Sequence, residues 1–199
     1  MTELDRIEHQ IAQKVIELDK KRDEVIQECI SWVQEESNKM MRNAIAENPQ
    51  RVRDLGTSGL KPIKDRFHSL NYEGITQALL GSDDIWLHKQ NKLTRENCPL
   101  SSYMVHGNRL PEKIEEGLRC SLSLIGDMLL EYQLTDPSHW ATKGEITRYR
   151  YGLMFGTKIK EKVKAYNDSF TDLYRMLETL DNARSQLDST SALNLWDNA

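Results

Sequence analysis

Three acid–histidine pairs have spacings that put both side chains on one face of a helix. Asp65 and His68 are three apart, Asp84 and His88 four, Asp136 and His139 three. A carboxylate beside an imidazole is a start toward a helical metal site or a proton-transfer pair. Helical metal sites typically use Glu-x-x-His plus carboxylates from other helices, and none of these pairs has that form. Asp84 and Asp136 also stand where helix N-caps are expected, a favoured place for Asp. Capping is the simpler role, so these six residues are the weaker candidates for chemistry.

The densest aromatic–cation cluster runs from His139-Trp140 to Arg148-Tyr149-Arg150-Tyr151. Arg and aromatic side chains anchor interfaces and also stack on bases. Trp140, Arg148, Arg150 and Tyr151 are therefore the candidate partner-binding residues. Residues 49–100 hold eight Lys/Arg against six Asp/Glu, a net +2. Their cations Arg51, Arg53, Lys61, Lys64 and Arg66 are the candidates for nucleic acid, provided they form one continuous basic face. The whole chain opposes that reading. It has 27 Lys+Arg against 31 Asp+Glu, a net charge of -4, and phosphate-backbone binding rests on an excess of cations. Lys158, Lys160, Lys162 and Lys164 alternate by two, which spreads them around a helix as a solvated flank.

Motifs of helical enzymes are missing. HEPN-type ribonucleases need Arg followed four to six residues later by His. Here Arg66 is two before His68 and Arg95 eleven before His106. The His-Asp dipeptide of HD-type phosphohydrolases does not occur. Glu112-x-x-Glu115 and Glu178-x-x-Asp181 match the letters of the MazG-type pyrophosphatase motifs but lie far apart. No Gly-rich loop is present to cradle a phosphate. The balance is against an enzyme, and no cofactor is implied.

The three cysteines, Cys29, Cys98 and Cys120, form neither a metal knuckle nor a disulfide framework. That suits a reducing cytoplasm. The polar, acidic N-terminus, MTELDRIEHQ, does not read as a signal peptide, so secretion is not expected. The longest apolar stretch, Leu118–Leu134, contains Arg119, Asp127 and Glu131, so no membrane insertion is expected.

The elements that must position these residues read as helices. Leu4, Ile7, Ile11, Val15, Leu18, Val25, Cys29 and Trp32 recur in steps of three or four, except across Arg22. They predict a helix over 3–47, opened by Thr2 and Asp5 at capping-box spacing and stopped by Asn48-Pro49. From Val25 a second apolar set appears, so this end should be buried on two sides. The strongest signal is Ile159, Val163, Tyr166, Phe170, Leu173, Leu177, Leu180, Arg184 and Leu187. Continued upstream by Ile146, Tyr149, Leu153 and Gly156, it predicts a helix over 145–187, about 60 Å long, followed by a frayed tail over 188–199 that carries Trp196. Residues 50–143 hold shorter helices. One lies near Lys61–Leu70 and one near Tyr72–Leu80. Another, starting at Pro111 and running to about 134, should be the most buried. A loop over 91–109 and a turn over Thr135–Lys143 separate them.

The composition agrees. Hydrophobic residues are 38% of 199, below the globular norm of roughly 45–50%, which favours an elongated shape with a thin core. Ten Gly and five Pro are too few for a β-rich fold with many turns. The expected fold is all-α and a single domain over 1–199: two long antiparallel, coiled-coil-like helices with a shorter helical subdomain between them. The expected function is a non-catalytic intracellular interaction or scaffold module. It would self-associate as a homo-oligomer or bind another protein, because an exposed coiled-coil seam needs a partner. A metal or small-ligand binder built on the acid–histidine pairs is the first alternative, and a subunit of a nucleic-acid complex the second.

Overall fold

The computed structural model describes residues 2–69, Trp86, 112–135 and 157–197. Among these the chain is all-α: α1 (Glu3–Glu47), α2 (Pro49–Ser69), α3 (Glu112–Glu131) and α4 (Thr157–Asp197). The helix expected near Tyr72–Leu80, the loop over 91–109 and the stretch 145–156 lie outside the described residues. So does most of the turn expected over Thr135–Lys143.

The N-terminus of α1 forms as its sequence dictates. The Thr2 amide donates to Asp5 Oδ2 at 2.7 Å, and the Asp5 amide donates to Thr2 Oγ1 at 3.2 Å. Two donors that a helix start leaves unpaired are thereby satisfied.

α1 and α4 pack antiparallel. Lys162 pairs with Glu24 at 2.7 Å, and Lys21 reaches the Ala165 carbonyl at 3.3 Å. Ser169 donates to Glu17 at 2.7 Å, and Lys14 lies 3.6 Å from Asp172. Each step up α4 is matched by an equal step down α1, so the register is constant along this edge. The predicted stripes meet beneath it. Leu18, Val25, Cys29 and Trp32 of α1 are buried with Ile159, Val163, Tyr166, Phe170 and Leu173 of α4. Trp86 completes the layer, its ring edge-on to Tyr166 at 5.1 Å.

The widening of the α1 stripe is real: Ile26 and Val33 are buried beside Val25 and Cys29. The first half of α3 joins this cluster through Ile114, Leu118 and Leu122. Its second half (Ile125, Met128, Leu129) packs with Ala44 of α1 and with Ile63 and Phe67 of α2. α3 is not buried all round, as its apolar sequence suggests. Leu124 is 55% exposed and Cys120 is also exposed, because the packed neighbours leave that face to solvent.

α2 starts at Pro49, earlier than the helix expected near Lys61–Leu70. It kinks at Gly56, whose φ of 58° and ψ of -173° suit only glycine. Side chains then close the junction of three helices. Asn48 Nδ2 donates to the carbonyls of Ala44 (2.9 Å) and Leu134 (2.7 Å). α3 ends in a Schellman turn: the Leu134 amide bonds to the Leu129 carbonyl and the Gln133 amide to that of Leu130. Gln133 takes the left-handed position with φ 56°.

The boundaries of α4 differ from expectation at its end. The helix runs to Asp197, ten residues past the predicted stop at 187. The α1–α4 register carries Glu3 to about position 183, so the last 14 or so residues of α4 extend past the start of α1. They continue as an exposed helix rather than a frayed tail.

Candidate functional site

The sequence candidates fall in different places. Asp65 and His68 are both exposed on α2, and His68 sets its ring edge against Phe67 at 5.6 Å. Asp84, His88, Asp136 and His139 lie outside the described residues, as do Trp140, Arg148, Arg150 and Tyr151. Among the described residues, no group of three His, Cys, Asp or Glu is placed to hold a metal ion.

The five α2 cations divide by role. Arg51 donates from Nε to the Tyr132 carbonyl at 3.1 Å, a contact that helps close the end of α3. Arg66 pairs with Glu131 at 2.6 Å and lies 5.7 Å over the Tyr132 ring. Its guanidinium is held above its usual pKa by the hydrogen bond to Glu131 and then by Tyr132. Arg53 makes a long contact of 3.4 Å to the Pro49 carbonyl, and Lys61 and Lys64 are exposed. Two of the five therefore serve the helix junction.

The tightest polar constellation is the α1–α4 edge. Glu17 accepts from Ser169, Lys14 at 2.9 Å and Lys21 at 3.0 Å. These partners lower its pKa from 4.5 to about 2, the Ser169 hydroxyl contributing most and the two ammoniums next. The charge pattern holds two helices in register, and Glu17 is fully engaged in it.

The thiols are equally inert or solitary. Burial, with Glu28 nearby, pushes the Cys29 thiol up to about 12, so it stays protonated. Cys120 is exposed and unbridged. Cys98 lies outside the described residues.

What stands out is the end of α4. Trp196 is 83% exposed and Leu187 51%, and Leu193 and Leu195 are also exposed. Four large apolar side chains in about three turns of one helix are unusual, since burial is what normally stabilises such residues. No protein-family model, curated protein or solved structure matches this chain. Function must therefore be argued from the surface itself.

Sequence reasoning met Trp196 but assigned it to a tail. The missed signal was spacing. Ser189, Ala192, Leu193 and Trp196 stand at i, i+3, i+4 and i+7, the pattern of one helix face. The small residues hid it. Among the described residues no helix is long and apolar enough to cross a membrane.

Proposed function

We propose that this chain is a non-catalytic protein–protein interaction module that acts through its long helices in a reducing, cytoplasmic compartment. The observation that carries this reading is the exposed end of α4, with Leu193, Leu195 and Trp196 turned to solvent. Unbridged Cys29 and Cys120 support the compartment. The α4 seam from Ile159 to Leu180 is filled by α1 of the same chain, so it does not call for a second copy. Self-association remains part of the proposal, through other surfaces.

Native mass spectrometry of the protein purified from its own host at low salt tests this. A second copy or another protein retained in the spectrum supports the module. A monomer that carries a metal or a small molecule refutes it and brings the acid–histidine pairs forward.

A further inference from the structure

The end of α4 has a face and a charge, and together they select a partner. Along residues 185–197, Ser189, Ala192, Leu193 and Trp196 share one side of the helix. Leu187 lies across the helix from them, on the stripe that elsewhere packs against α1. Ser189 turns its hydroxyl back to the Ser185 carbonyl at 2.9 Å, so the polar group is satisfied within the helix. The face therefore carries two small residues, Ser189 and Ala192, beside a large exposed indole. Another helix fits such a surface, because small positions let backbones approach and an aromatic knob fills the gap.

Charge decides which helix. Among the described residues, Glu3–Gln13 of α1 and the stretch Leu173–Asp197 of α4 make up this end of the molecule. They hold seven carboxylates (Glu3, Asp5, Glu8, Glu178, Asp181, Asp188 and Asp197) and three arginines. The balance is -4, equal to the net charge of the whole chain. The arginines are already engaged: Arg6 with Glu3 at 3.9 Å, Arg175 with Asp172 at 3.7 Å, Arg184 with Glu8 at 2.7 Å. Between 185 and 197 there is no cation. Two such ends brought together repel, which disfavours a second copy here, whereas a cationic partner is attracted.

We propose that the end of α4 docks a basic amphipathic helix of another protein on the face made by Ser189, Ala192, Leu193 and Trp196. This rests on the interaction-module reading and names its partner by chemistry. The Trp supplies the anchor, and the surrounding carboxylates supply attraction and orientation.

The test uses the full chain and two synthetic helical peptides with the same leucine pattern. In one the remaining positions are mostly Lys; in its twin they are mostly Glu. Binding is read by calorimetry and sedimentation at two salt concentrations. The expected result is at least ~10-fold tighter binding of the Lys peptide, weakened by salt. Trp196→Ala should weaken it by a further ~10-fold or more, and Leu187→Ala, on the opposite side, should leave it unchanged. Helix content and melting of both variants are checked by circular dichroism, and neither side chain is buried. Equal binding of the two peptides overturns the proposal, as does binding insensitive to Trp196→Ala, or dimerisation that Trp196→Ala abolishes. If the peptides fail while the host-purified chain still carries another protein, only this inference falls. A retained metal or small molecule instead sinks the module reading itself.

Discussion

Leu173 and Leu187 sit on the same stripe of α4, and the structure assigns them opposite energetic roles. Leu173 is 0% exposed, in the cluster with Leu18 against which Val15 also packs. Leu187 is 51% exposed, beyond the start of α1. Truncating a buried leucine removes its transfer free energy and leaves a cavity, together about 3–5 kcal/mol. α1 lies across this site and its ends are held elsewhere, so collapse is partial and Leu173→Ala should cost about 3 kcal/mol. That is a large share of a total that is typically about 5–15 kcal/mol, and corresponds to roughly 6–12 °C in Tm for a chain of this size. Leu187→Ala removes a half-solvated side chain and inserts the best helix former, so its effect should stay within about 0.5 kcal/mol. Urea unfolding followed by far-UV circular dichroism measures both, with midpoints that shift at constant slope. Equal losses for the two variants would refute the reasoning. They would mean that α4 is covered to its end and that the α1–α4 register is wrong.

Three further outcomes follow from particular geometries. Gly56→Ala should destabilise by about 1–3 kcal/mol although no atom lies within 4 Å of the new Cβ, because the cost is conformational; a neutral result by thermal melting would disprove the kink. Glu17 has its folded pKa lowered to about 2, so its contribution is complete above its unfolded value of 4.5 and is lost as pH falls toward 2. With the side chain 43% exposed, solvent screening limits the effect to about 1 kcal/mol, seen as a smaller acid loss in Glu17→Gln than in the unaltered protein; parallel pH–stability curves would contradict it. In a native thiol-labelling experiment Cys120 should react promptly and Cys29 only upon unfolding, since Cys29 is buried and its thiol is pushed up to about 12; rapid native labelling of Cys29 would show that the α1–α4 core opens readily.

Much of the fold was legible along the chain because it is local. Thr2 and Asp5 make their bonds within one turn, so the start of α1 was readable to the residue. The stripes of α1 and α4 were readable because a helix exposes its burial pattern as steps of three and four. The kink at Gly56 was not, since glycines at 56 and 59 look alike in sequence and only one takes a positive φ. Nor was the outward face of Leu124, because an apolar residue carries no mark of whether a neighbour reaches it.

The candidate site divides along the same line. Sequence alone determined that α4 is amphipathic and that the described part of the chain is all-α. It did not determine how far α4 overhangs α1. That depends on the register set by Glu17 with Ser169 and Glu24 with Lys162, contacts between residues more than 130 positions apart. Heptad stripes repeat, so an apolar seam alone tolerates a slide by a whole repeat; only specific cross-helix partners select one alignment. The alignment they select buries Leu173 and leaves Trp196 in water. Periodicity is written in the order of the residues, whereas exposure is decided by which other helix stops first.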